Sequence, residues 1–176
     1  DAEAEKANAV LCARHVAEGR LRLHSEHLTR ENIASLFARF DVPVEFDVLS
    51  LDIDRNTSFL WRGLADYRPR VVVVEYNAAI PAMVDWEVEY DASAVWDKSV
   101  YFGASLNRLE RVGASMGYDL VGCTLSGVNA FFVRNDLTGD KFARPFTAEH
   151  HYEPSRHYLI RTPVHERGFG DSGQPS

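Results

Sequence analysis

Four side chains that carry oxygen ligands follow two apolar runs of the sequence. Asp52 and Asp54 close the first run, and Glu75 and Asn77 close the second. If both runs are parallel strands joined by one helix, they lie side by side and their carboxyl ends meet at one crevice. Hard oxygen ligands at that density suit Mg²⁺ or Ca²⁺. The pattern therefore predicts a divalent-metal site there, with Asp52 and Asp54 as catalytic carboxylates.

A simpler role is open for each of these residues. Asp54 or Asn56 can be the N-cap of the helix that follows, because short polar side chains accept hydrogen bonds from the first backbone amides of a helix. Glu75 and Asn77 can bind solvent or the backbone instead. The sequence alone leaves both interpretations open.

Predicted strands and helices alternate along the first half of the chain. The alternating pattern of RLRLHS (Arg20–Ser25) predicts a strand, and Thr29 can cap a helix after it. The near-continuous apolar run FDVLSLDI predicts a central strand buried on both faces. The clearest strand is RVVVVEY, after a helix that ends before Pro69.

The second half predicts one more helix and a hairpin. The helix ends at Gly117, and two strands then flank a short turn at residues 124–127. The whole pattern predicts an α/β fold with a mostly parallel sheet and an antiparallel strand at one edge. Residues 1–160 are expected to form a single domain, with a first helix over residues 1–18, and residues 161–176 a disordered tail.

A long segment without regular periodicity, residues 77–103, separates the two halves. Long loops inside compact domains are usually functional or disordered, and the many aromatic residues of this one disfavour disorder. It either packs over the core or forms a wall above the crevice. Its aromatic residues are Trp86, Tyr90, Trp96, Tyr101 and Phe102.

The composition limits the partners of the protein. A net charge of -7 argues against a nucleic-acid backbone or an anionic membrane as the main partner. Cys12 and Cys123 lie far apart and lack CxxC spacing, so a reducing, cytoplasmic setting is expected. The net charge says nothing positive about a substrate.

The elements DVLSLDID, RPRVVVVEYNA, YFGASL and YDLVGCTLSGVNAFFVRNDL, in this order, resemble the second half of a class I S-adenosylmethionine-dependent methyltransferase. The nearest resemblance is to the FkbM-like group and related bacterial proteins. It implies a Rossmann-like methyltransferase sheet that ends in a hairpin whose last strand is antiparallel. The implied activity is methyl transfer from S-adenosylmethionine to a hydroxyl of a small molecule or sugar.

The sequence departs from the family at its beginning. The first family strand, its glycine-rich turn and the strand that ends in a ribose-binding acid have no counterpart here. In the family these two strands lie between those corresponding to RLRLHS and DVLSLDI. Their absence leaves unpaired backbone groups. We therefore expect that the sequence is truncated, or that a second copy or a partner chain completes the sheet.

The resemblance also implies roles for particular residues. Ser25, Glu26 and His27 would lie near the adenine of S-adenosylmethionine, and Asp52 would face both cofactor and substrate. Some O-methyltransferases of this fold hold a divalent ion at the Asp52 position, together with an Asp-Asn pair after the next strand. Glu75 and Asn77 are similar in kind, although a tyrosine separates them, so Mg²⁺ is an implied second cofactor.

Two other functions are kept open. A degenerate methyltransferase fold can serve as a non-catalytic binding or assembly module, in which Arg55 neutralises the aspartates without a metal. The spacing of Asp52, Asp54 and Thr57 is also similar to that of Mg²⁺-dependent phosphatases of the haloacid dehalogenase type. Arg55 replaces the glycine of that pattern, and Glu75 stands where a Ser or Thr is required.

Overall fold

The computed structural model describes residue 10 and residues 12–156 of the chain. The start of the predicted first helix and the predicted disordered tail, residues 161–176, lie outside this part. Residues 12–17 are helical, and Gly19 follows them with a φ of 67°. This is the left-handed conformation in which glycine commonly ends a helix.

Four strands form one open, mixed sheet. They are β1 (Val48–Leu51), β2 (Val71–Glu75), β3 (Tyr118–Cys123) and β4 (Asn129–Arg134), and their order across the sheet is β1-β2-β4-β3. β1 and β2 are parallel, whereas β4 is antiparallel to both β2 and β3. The α/β class and the hairpin are confirmed. The sheet is mixed, and its antiparallel strand lies inside the sheet rather than at the predicted edge position.

Besides the helical residues 12–17, the described part of the chain has three main helices and two single turns. The helices are α1 (Ile33–Arg39), α2 (Thr57–Gly63) and α3 (Leu106–Ser115), and the turns are α4 (Asn135–Thr138) and α5 (Ala148–His151). Ser105 caps α3, because its side chain accepts a hydrogen bond from the backbone nitrogen of Arg108. None of the helices in the described part is long and apolar enough to cross a bilayer.

Aromatic packing fixes α2 and α3 against the sheet. The ring of Trp61 meets those of Phe132 and Tyr118 edge-on, with centroids 4.9 and 5.9 Å apart. A Cβ atom on Gly113 would lie 2.8 Å from the Phe132 ring, so α3 approaches β4 as closely as only glycine allows. The tight packing holds the loops at the strand ends in fixed positions.

β1 is an edge strand of the described sheet, and its residues are alternately exposed and buried, so the predicted burial on both faces is wrong. Leu49 and Leu51 are buried in the core, but Val48 is 56% exposed. Within residues 12–156, β1 pairs with β2 alone. One face of β1 and one of its edges therefore stay open in the described part.

The strand predicted over Arg20–Ser25 does not form, and residues 21–29 have no regular secondary structure. An isolated strand is not stable without a neighbour that pairs with its backbone, and the described sheet offers none here. The segment lies against the end of α1 instead. His24 stacks on Phe40 at a centroid distance of 3.7 Å, and Glu26 forms an ion pair with Arg39.

Candidate functional site

A cleft of about 310 Å³ opens at the carboxyl end of β1. Three separate segments line it: residues 26–28, residues 52–56, and residues 92 and 94–96 of the long loop. The first segment precedes α1, the second joins β1 to α2, and the third comes from the loop between β2 and α3. The cleft thus gathers residues that are distant in the sequence.

The turn between β1 and α2 brings the charged side chains into the cleft. Leu51 is buried, and Asp52 directly after it is exposed, as the alternation of a strand requires. The Thr57 hydroxyl donates a 2.8 Å hydrogen bond to the carbonyl oxygen of Ile53, which ties the turn to the first residue of α2. Asn56 is the N-cap residue of α2 by position, but its side chain makes no capping bond.

Hydrogen bonds from two other segments anchor the loop wall of the cleft. His27 Nε2 lies 2.6 Å from the carbonyl oxygen of Ala92 and must donate, because a carbonyl only accepts. Asn56 Nδ2 donates to the carbonyl oxygen of Asp91 over 3.0 Å. The Tyr90 hydroxyl donates to the carboxylate of Glu31. The pKa of Tyr90 is therefore raised, first by desolvation and then by this bond.

Charged groups of both signs line the cleft without pairing. Asp52 and Asp54 are exposed, and no hydrogen bond or ion pair joins either side chain to another described residue. Arg55 is half-buried, and its Nε is shielded without a hydrogen-bond partner. Its guanidinium lies 5.6 Å from the centroid of the Tyr101 ring. The side chains of Asp52, Asp54 and Arg55 therefore keep their hydrogen-bonding capacity for solvent or a ligand.

Loop carboxylates near Arg55 have perturbed acidity. The pKa of Asp91 lies below its ordinary value mainly because the Ser93 hydroxyl and backbone donate to it, and the charge of Arg55 contributes. The pKa of Asp97 is lowered in the same way by Ser99, with a further contribution from Arg55. Both loop carboxylates are thus already engaged.

Glu75 and Asn77 do not join the two aspartates. Asn77 is buried, and its Nδ2 donates to the carbonyl oxygens of Val100 and Phe102 at 2.8 and 2.9 Å. Glu75 is also buried and does not line the cleft. The end of the long loop covers this end of β2, so the predicted four-ligand cluster does not form. The structure holds no group of three His, Cys, Asp or Glu that suits a metal anywhere in residues 12–156.

Of the three residues expected near the adenine, two line the cleft and one does not. Glu26 and His27 line the cleft, together with Asp52, but Ser25 does not. Glu26 is also ion-paired with Arg39, so its carboxylate is held at the rim. Two of the three expected adenine contacts therefore lie at the same opening as Asp52.

No family model, curated protein or solved structure matches this chain.

Sequence reasoning missed part of the cleft. Asn56 was considered only as a helix cap and Arg55 only as a neutralising cation, yet both line the cleft. The abundance of aromatic residues in the long loop was a usable signal. Both interpretations of that loop hold, because Trp96 lines the cleft whereas Phe102 is only 3% exposed and packs in the core.

Proposed function

We propose that this chain is a methyltransferase, or a part of one, that transfers a methyl group from S-adenosylmethionine to a hydroxyl of a small molecule or sugar. One observation carries the proposal. Glu26 and His27, which the family resemblance associates with the adenine, share one cleft with Asp52, which it associates with cofactor and substrate. These residues belong to separate segments, so the shared cleft is more than a consequence of sequence proximity.

The strand order gives further support. In the family's sheet the last strand is antiparallel and lies between the two strands before it. β4 occupies this position between β2 and β3. The open edge of β1 corresponds to the place where a further family strand would pair. We propose that such a strand comes from more of the same polypeptide, a second copy or a partner chain.

The residues present fit the chemical groups of S-adenosylmethionine. Carboxylates accept hydrogen bonds from ribose hydroxyls or an ammonium group, and Arg55 can bind a carboxylate. A cleft of about 310 Å³ is at the lower end of the usual range for small-molecule sites. When bound, the cofactor would supply an electrophilic methyl group on a sulfonium.

The contribution of the chain to such a transfer would be mainly positioning. Asp52 or Asp54 can orient the acceptor hydroxyl by accepting its hydrogen bond, and can take its proton as the carbon–oxygen bond forms. Trp96, fixed by a 2.8 Å hydrogen bond to the carbonyl oxygen of Ser99, forms an aromatic wall beside them. A Mg²⁺ ion in the cleft would have only Asp52 and Asp54 of the four proposed ligands, and would need water or substrate oxygens as well.

Calorimetric titration with S-adenosylmethionine, with and without Mg²⁺, tests the proposal. We expect saturable binding that Asp52→Asn weakens. Asp47→Asn is the matched control, because Asp47 precedes β1 at its opposite end and its side chain pairs, among the described residues, with the exposed Arg70 alone. Absence of binding by a folded chain would refute the proposal for this chain.

The second candidate is a binding module that has the fold without the catalysis. The observation in its favour is Arg55, which places a fixed positive charge among the aspartates of the cleft. Ligand binding without methyl transfer to any hydroxyl acceptor would support this candidate. The phosphatase alternative predicts phosphate release from a generic ester, and the buried position of Glu75 outside the cleft gives it no support.

A further inference from the structure

Among the described residues, Arg55 lacks the ion pair that two other arginines of this fold form. Arg62 forms a 2.9 Å ion pair with Glu87, and Arg108 forms a 2.7 Å ion pair with Asp85. Arg55 is next to Asp54 in the sequence and lies on the same short turn as Asp52. Even so, no ion pair joins Arg55 to a described carboxylate, and its Nε is shielded without a partner.

A neighbouring amide shows the same lack of a partner. Asn56 borders the cleft and is only 4% exposed. Its Nδ2 is used by the carbonyl oxygen of Asp91, which fixes the orientation of the amide, and its Oδ1 has no partner in the described part. A buried acceptor without a donor is destabilising, so a ligand N–H or O–H that reached it would recover free energy.

These groups limit the charge of a ligand. A simple anion would meet Arg55 favourably but would be repelled by Asp52 and Asp54. A simple cation would be attracted by Asp52 and Asp54 but repelled by Arg55. A ligand that carries an ammonium and a carboxylate a few bonds apart satisfies both signs. Carboxylates and an amide oxygen accept the three ammonium donors, and a guanidinium binds a carboxylate through two parallel hydrogen bonds.

We propose that the cleft binds the zwitterionic α-amino-acid group of its ligand. Arg55 binds the carboxylate, and one of Asp52 and Asp54 binds the ammonium, with Asn56 Oδ1 as a further acceptor. The other aspartate is left for the acceptor hydroxyl. The inference deepens the proposed function, because the methionine end of S-adenosylmethionine is such a group. The inference places the methionine end of the cofactor at the turn after β1, which contains no glycine.

Calorimetry with three ligands tests the inference: S-adenosylmethionine, free methionine and 5′-methylthioadenosine, which lacks the amino-acid group. Arg55→Gln should weaken the binding of S-adenosylmethionine and of methionine by roughly 10- to 100-fold, the usual range for a lost charge-assisted hydrogen bond. It should leave 5′-methylthioadenosine unchanged. Arg55→Lys, which keeps the charge but loses the planar fork, should give an intermediate loss.

Arg70→Gln is the matched control, since Arg70 lies before β2 and lines no part of the cleft. Circular dichroism of each variant verifies folding, and Arg55→Lys serves if Arg55→Gln does not fold. An equal loss for all three ligands would overturn the inference, because it would indicate general damage to the cleft.

The remaining outcomes separate the two proposals. If S-adenosylmethionine binds and Arg55→Gln leaves its affinity unchanged, the zwitterion site is wrong and the proposed function stands. If methionine binds in an Arg55-dependent manner but S-adenosylmethionine does not, the zwitterion site stands and the proposed function fails. If neither binds, both are overturned.

Discussion

The ends of β1 and β2 carry similar side chains but use them in opposite ways. After β2, Glu75 and Asn77 are buried, and the Asn77 amide holds the end of the long loop through two hydrogen bonds. After β1, Asp52 and Asp54 are exposed in a cleft and bind no described residue. Polar residues at a strand end therefore mark a candidate site only where neighbouring segments leave them unengaged.

The largest expected effect is a loss of stability at the end of β2, where Asn77 is buried. Asn77→Ala should lower the free energy of unfolding by about 2–4 kcal/mol, because the buried carbonyl oxygen of Phe102 and the partly buried one of Val100 lose their donor. Chemical denaturation measures the change. Asn107→Ala is the control, since Asn107 lies half-exposed on α3 and its side chain bonds with Arg111 alone in the described part of the chain. Similar small losses for both variants would break the contrast between the two strand ends.

Substitutions in the cleft should lower ligand affinity and leave stability nearly unchanged. Asp52→Asn and Asp54→Asn should each change the free energy of unfolding by no more than about 0.5 kcal/mol, as for most exposed substitutions. Ligand affinity should fall instead, by roughly tenfold for one lost charge-assisted hydrogen bond. Denaturation and calorimetry on the same samples give both numbers. A large loss of stability would mean that these carboxylates are structural.

A smaller effect is expected at the loop wall. Tyr90→Phe removes the hydroxyl that accepts from the Arg30 backbone nitrogen and donates to Glu31. Amide hydrogen exchange of residues 90–96 should then become faster, while exchange of the sheet stays unchanged. Tyr101→Phe serves as the reference, because the Tyr101 ring contacts Trp86 and Arg55 without a hydroxyl bond among the described residues. Unchanged exchange in Tyr90→Phe would show that other contacts hold the wall.

The smallest expected effect is the pH dependence of stability near the end of β2. There the Tyr152 hydroxyl donates to the carbonyl oxygen of Ala78. The adjacent His151 has a pKa below its ordinary value of 6.5, first because of burial and then because of the charge of His150. The unfolded chain therefore takes up this proton before the folded chain does. Stability present above pH 6.5 should decline as the pH falls through the folded-state pKa. His151→Gln should flatten this part of a denaturation profile, and an unaltered profile would contradict the assignment.

The sequence predicted the hairpin together with its pairing because the two strands lie close in the chain. The hairpin of β3 and β4 and the preceding helix have their own turn residues, among them Gly117 and Gly127 with positive φ. The strand predicted over Arg20–Ser25 does not form. A strand needs a neighbouring strand to pair with, and the local sequence pattern does not show whether one is present.

The candidate site was predictable only in part. The rule that ligand sites lie at strand ends selected Asp52 and Asp54, and both line the cleft. Their catalytic and metal-binding roles stay predictions. It could not reveal that residues 100–104 cover Asn77, since this depends on how a long loop folds back. The roles of Arg55 and Asn56 in the cleft depend on missing partners, which are visible only in three dimensions.

The most direct test of the central claim is a map of amide chemical shifts during titration with S-adenosylmethionine. We expect perturbations at residues 26–28, 52–56 and 92–96, the three segments of the cleft. Glu75 and Asn77 should change little, because they lie outside it. Perturbations centred on the end of β2, or none at saturating ligand, would contradict the claim that the turn after β1 forms the functional site.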